Sequence, residues 1–162
     1  MTATCTYIKR AIKVSLVFFL MAFMLMAAIG VHAAPEELPA EVESTAVGIV
    51  TLKAPDQLSV STTNKKLPIS ATAPQGATVT VYRYNYATGT YQRIWVGDAP
   101  LEAVIGSTML FAGQVDLNSG MNKFLIRGGW DDNTYTVVKF DVNLLNEGFM
   151  DRIKGIINVI FN

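Results

Sequence analysis

The stretch 69–96, ISATAPQGATVTVYRYNYATGTYQRIWV, limits the fold of this chain more than any other. It reads as one short strand, a Pro-Gln-Gly turn and then a long β-hairpin. Side chains along a strand alternate between two faces. Val79 and Val81 therefore share one face, while Tyr82, Tyr84 and Tyr86 share the other. A four-residue loop, Ala87-Thr88-Gly89-Thr90, pairs Tyr86 with Tyr91, Tyr84 with Arg93 and Tyr82 with Trp95. All six then lie on one face, with Val81 opposite Val96 on the other.

Upstream, the chain begins with a delivery signal. Lys9, Arg10 and Lys13 precede an uncharged apolar run over 14–31, and Val31-His32-Ala33 presents the small residues that a signal peptidase reads. The run of 18 residues also approaches the ~18 of a spanning helix, so an uncleaved signal anchor is the alternative. In either case residues from Ala34 onward are exported. Cleavage removes the single Cys and the single His, leaving ten basic against thirteen acidic side chains, a net of −3. That balance excludes a basic nucleic-acid footprint. Without thiols, stability must come from a hydrophobic core, and the 129 residues from Ala34 suffice for one.

Residues 34–46 carry four Glu and two Pro and read as an acidic linker, a stalk extended by self-repulsion. Ordered structure begins near 47–52. Short runs rich in Val, Ile, Thr and Tyr then recur near 57–61, 67–73, 77–85, 91–97, 101–105, 109–117, 121–128 and 133–143. Such spacing, without a helical period between the runs, predicts an all-β sandwich or barrel. Alternation points Phe111, Val115, Leu117, Phe124, Ile126, Val138, Phe140 and Val142 inward.

At 117–126, LNSGMNKFLI, taken with 74–81, PQGATVTV, and 107–115, the chain resembles the bacterial immunoglobulin-like domains of cell-surface and cell-wall proteins. The resemblance covers about 50–143 and implies an immunoglobulin-like β-sandwich over 47–143. It departs from tandem members of that group in having one copy and a helical tail. In the residues themselves, Gly76 and Gly120 suit positive-φ turn positions and Asn122 can tie down turn backbone.

The tail, 144–162, has helical periodicity. Phe149, Met150, Ile153, Ile156, Ile157, Ile160 and Phe161 form an apolar arc opposite Glu147, Asp151, Lys154, Asn158 and Asn162. Asn146 is a suitable N-cap. An amphipathic α-helix is expected, its arc covered by the sandwich, by a second copy through self-association, or by a membrane surface.

Catalytic constellations are poorly supplied. Loss of His and Cys excludes Ser-His-Asp, Cys-His and histidine-ligated metal sites. The carboxylate pairs Asp98/Glu102 and Asp131/Asp132 read as turn residues, and Asp131-Asp132-Asn133 lacks the spaced ligands of a calcium loop. No cofactor and no metal is expected. The face of Tyr82, Tyr84, Tyr86, Tyr91, Arg93 and Trp95 is the candidate ligand surface, able to stack on sugar rings or meet a protein. The expected function is that of an exported, non-catalytic surface module for protein interaction or adhesion. A cell-wall glycan-binding module is the alternative, and a small secreted hydrolase ranks last. Mass spectrometry of the exported protein should find Ala34 as its first residue; residues 1–33 retained in a membrane fraction would make the segment an anchor.

Overall fold

The computed structural model describes residues 34–146 together with Gly148 and Ile156. The expected signal segment, 1–33, lies outside these residues. The described chain is all-β, with twelve strands. In order they are β1 (Glu37–Pro39), β2 (Thr51–Ala54), β3 (Ser59–Thr62), β4 (Lys66–Thr72), β5 (Thr78–Asn85), β6 (Thr90–Arg93), β7 (Trp95–Val96), β8 (Ala99–Pro100), β9 (Glu102–Val104), β10 (Leu110–Asp116), β11 (Gly120–Gly129) and β12 (Tyr135–Leu144). Each run marked by alternation carries strand, and the run at 91–97 is divided between β6 and β7.

The strands form a large sheet ordered β1-β6-β5-β11-β12-β3, a smaller sheet ordered β10-β4-β2, and the separate hairpin β7-β8. β5 has two partners along one edge: β6 beside its second half and β9 beside its first. β3 runs parallel to β12, and the other strand pairs are antiparallel.

The two main sheets meet across one core. Leu67, Ile69 and Ala71 of β4 and Phe111 and Val115 of β10 pack with Val79, Val81, Phe124, Ile126, Phe140 and Val142 of the large sheet. Phe124 and Phe140 stack at 5.4 Å between ring centroids. Each fully buried side chain of this kind contributes ~1.5–3 kcal/mol. The turns follow their chemistry: Gly76 and Gly120 hold φ near +85° and +81°, where a Cβ is disfavoured. Asn122 is buried and clamps the turn before β11. Its Oδ1 accepts from the Asn118 N–H (2.8 Å), and its Nδ2 donates to the carbonyls of Asn118 (2.7 Å) and Gly120 (3.0 Å).

The linker expected at 34–46 is instead part of the domain. β1 adds to the free edge of β6, pairing Leu38 with Tyr91. Ala34, Leu38 and Val42 are buried, whereas Glu36, Glu37, Glu41 and Glu43 all face solvent. Four acids suggest self-repulsion, but they alternate with the apolar positions and point away from the sheet, so docking buries none of them. The strap continues to β12, where Ser44 Oγ accepts from the Val137 N–H (2.9 Å) and Thr45 Oγ1 from the Tyr135 N–H (3.0 Å). Lys139 Nζ reaches the carbonyl of Ala40 at 2.8 Å.

Most of the tail lies outside the described residues, including Phe149, Met150, Ile153, Ile157 and Ile160. Ile156 is described and its side chain is exposed. A recess of about 470 Å³, bordered by Leu117, Leu144, Leu145 and Asn146, lies where the chain leaves β12.

Docking of the strap has a measurable consequence. Leu38→Ala should destabilise the domain by about 2–3 kcal/mol, the low end for a buried leucine, seen as a lower urea midpoint. An unchanged midpoint would mean that the strap is not held on the sheet.

Candidate functional site

The aromatic hairpin closes one residue earlier on β5 than the even alternation suggests, which shifts its register by two. Tyr82 faces Arg93, Tyr84 faces Tyr91, and Asn85 faces Thr90. Asn85 sets this closure: its Oδ1 accepts from the Ala87 N–H (2.9 Å) and its carbonyl from the Gly89 N–H (2.9 Å). Tyr86 therefore falls in the loop and is exposed.

Beyond Arg93 the chain leaves the ladder. The Ile94 N–H donates to the Val81 carbonyl (3.1 Å), the Leu101 N–H to the Ile94 carbonyl (2.8 Å), and the Val81 N–H to the Leu101 carbonyl (3.0 Å). Residues 95–100 are thus an excursion, hairpin β7-β8, turning at Gly97 and Asp98. A glycine opening a two-residue turn is the type II′ signature, and Gly97 has φ +63°. Trp95 pairs with Pro100, not Tyr82, and Val96, expected inward against Val81, is exposed.

The six predicted ligand residues do not make one open face. Tyr82 and Tyr91 are buried beneath Leu38 and Val42, in a second cluster that includes Leu125. The physical reason is that two tyrosines beside a leucine form an apolar surface that gains more from a cover than from water. Tyr84 is half-buried, edge-on to Tyr86 at 5.1 Å and to Tyr91 at 5.2 Å. Tyr82 Oη donates to the Pro35 carbonyl (2.8 Å). Arg93 donates to the Ala34 carbonyl (3.1 Å) and to Glu36 (3.3 Å), and lies 3.7 Å from Glu102. These residues fasten the strap.

The carboxylates are occupied by structure. Glu102 accepts from Thr80 Oγ1 at 2.8 Å. Asp131 Oδ1 accepts from the Asn133 and Thr134 N–H groups (2.8 and 2.7 Å), and Asp132 pairs with the buried Arg127 at 3.2 Å. Among the described residues, no three His, Cys, Asp or Glu are grouped to hold a metal ion.

A different site lies on the inner side of the same hairpin. The inward row of β5 runs Val79, Val81, Arg83, Asn85, and Gln92 of β6 stands opposite Arg83. The smaller sheet ends at β10 and leaves this corner uncovered. The result is a groove of about 490 Å³ bordered by Arg83, Asn85, Gln92, Ile94, Trp95 and Asn118. A second recess of about 410 Å³ shares Arg83, Ile94 and Trp95 and adds Lys66, Gln114 and Asp116. Trp95 is 53% exposed, and its ring lies 5.5 Å from the Arg93 guanidinium. Asn85 Nδ2 donates to Gln92 Oε1 (3.0 Å), fixing both amides. Arg83 lies 5.3 Å over the Phe124 ring and donates through Nη2 to the Asp116 carbonyl. Burial lowers its pKa from the ordinary value, and Asp116 pulls it back upward.

Of the six predicted residues, Tyr84, Tyr86, Arg93 and Trp95 border this groove; Arg83, Asn85 and Gln92, which border it too, were not among those expected. Their signal was present: polar residues continuing an inward apolar row mark where the opposing sheet stops. The wall so formed offers an aromatic plane, fixed amides and a cation, groups with the chemistry to stack on and hydrogen-bond a ligand. Compared with known proteins, the chain matches no family model and no curated protein.

Burial pushes the Tyr82 phenol up to about 12 from 10.0, partly offset by the positive charges of Arg127 and Arg93. Burial likewise raises Tyr91. Below pH 10 these phenols are neutral in folded and unfolded chains, and their contribution is complete. Between pH 10 and 12 the unfolded chain ionises first, so stability falls, by about 2–3 kcal/mol for Tyr82 at ~1.4 kcal/mol per unit. Melting temperatures from pH 9 to 11.5 should drop, and Tyr82→Phe should flatten the drop. A flat wild-type profile would contradict the burial of Tyr82.

Proposed function

We propose that this chain is an exported, immunoglobulin-like, non-catalytic surface module for protein interaction or adhesion. Strand topology supports the immunoglobulin-like part of the reading. In that fold the first, second and fifth strands share one sheet, and the third, sixth and seventh share the other, which variable-type domains widen with further strands. Here β2, β4 and β10 form one sheet, and β5, β11 and β12 belong to the other, widened by β6. β3 then counts as a continuation of the first strand, transferred to the opposite sheet.

The observation that carries the functional part is Trp95. A tryptophan 53% exposed on a two-residue hairpin, above a groove of about 490 Å³, adds nothing to the core that a smaller residue would not. Exposed aromatics over pockets are the usual anchors of recognition surfaces. The glycan-binding reading has its own support in the ring of amides, Asn85, Gln92 and Asn118, beside that indole. Export rests on the leader sequence and its cleavage motif.

The test is retention of the mature protein on bacterial cell-wall material. Trp95→Ala should leave the melting temperature within a few degrees, as for a typical surface substitution, and reduce retention about 10-fold or more. Equal retention by the two proteins would remove Trp95 from the function. Tyr84→Ala is the contrasting variant: its half-buried ring makes lost stability its first effect.

A further inference from the structure

The groove contains a guanidinium that makes no direct ion pair among the described residues, with the Asp116 carboxylate acting on it only from beyond ion-pair distance. Three arginines project from β5, β6 and β11. Arg93 has Glu36 and Glu102, and Arg127 has Asp132. Among the described residues, no carboxylate lies within ion-pair distance of Arg83. Asp116 meets it through the main-chain carbonyl, which takes one Nη2 donor. Nε is sealed without a partner, so the ligand-facing donors are those of the two terminal nitrogens. A guanidinium carries five N–H donors in a planar fork suited to a carboxylate.

The surroundings agree in sign. With Arg93 already paired to Glu36 and Glu102, the two recesses, which share Arg83 and Trp95, present Arg83 and Lys66 against the single acid Asp116. This corner is therefore positive, although the chain from Ala34 onward is net −3. A partly desolvated cation gains more from an anion than a hydrated one does.

The geometry points to a carboxylate-bearing saccharide as the ligand of this groove, its ring stacked on Trp95 and its carboxylate held by Arg83. The volume falls within the ~300–1,000 Å³ of small-ligand sites. A second recess shares Arg83, Ile94 and Trp95 with it, so a ligand of more than one ring would have a further surface beside the indole. Gln92 and Asn118 line the same groove as the indole and offer amides to ring hydroxyls. Gln92 gives its Oε1 to Asn85, so its Nε2 donors remain for the ligand. This inference rests on the surface-module reading in taking the groove as the contact, and adds the ligand's charge and class.

Calorimetric titration of the mature protein with three acidic probes tests it: oligogalacturonate, a hyaluronan hexasaccharide and sialyllactose. Each is compared with its methyl ester, which keeps the shape and removes the charge. At least one free acid should bind about 10-fold or more tightly than its ester, the scale of a charged hydrogen-bonded contact. Arg83→Gln should abolish that preference, Arg83→Lys should retain part of it, and Trp95→Ala should weaken acid and ester together. Melting temperatures of all variants establish that they fold, and Arg83→Lys keeps the test open if Arg83→Gln does not. Equal binding of acid and ester would overturn the role of Arg83. If no probe binds while cell-wall retention persists, the saccharide ligand is wrong and the surface module stands. If retention is also absent, both readings fail.

Discussion

The central strands of the large sheet are apolar on both faces, and the fold is arranged around covering both. In β11 every residue from Phe124 to Gly129 is buried. Consecutive burial along a strand requires cover above and below, since neighbours point in opposite directions. Phe124 and Ile126 face the smaller sheet, while Leu125 and Arg127 face the other way. The smaller sheet covers one side. Among the described residues no second sheet lies on the other side, and the strap from Ala34 to Ala46 takes that place with Leu38 and Val42 over Tyr82, Tyr91 and Leu125.

This arrangement ties the two ends of the described chain together. Ser44 and Thr45 bond to residues 90 or more positions later on β12, and β3 runs parallel to that same strand. Pairings of such separation close large loops before they return any contact energy, so they belong to the late, slow part of folding. The local β5-β6 hairpin can form early, but its aromatic face stays wet until the strap arrives.

The inner core was legible because alternation fixes which residues face inward: Phe111, Val115, Phe124, Ile126, Phe140 and Val142 are all buried. The strap was not, because four glutamates dominate its composition, and composition says nothing about which way they point. Leu125 held the missing information, since an apolar residue in the outward phase of β11 implies that the outward face is covered. The hairpin register depended on Asn85, whose side chain accepts from the loop and closes the ladder one residue early, shifting every pairing by two. A shift of two preserves faces, so Tyr82, Tyr84, Tyr91 and Arg93 still share one side. Trp95 was lost from that side because the chain leaves the ladder at Ile94, and even alternation cannot anticipate such an exit.

The strap and the groove are joined through Arg93. Its main-chain N–H donates to the Glu36 carbonyl (2.9 Å), and its guanidinium reaches the Ala34 carbonyl on the strap side. The same guanidinium lies 5.5 Å from the Trp95 ring on the groove side, an energetically favourable cation–aromatic distance. Arg93 is nearly buried, at 8% side-chain exposure, so these contacts hold it in one place. Trp95, on a two-residue strand, thus has its ring beside a residue fixed by the strap. The segment that seals the outer face therefore also anchors the arginine that lies beside the aromatic plane of the groove.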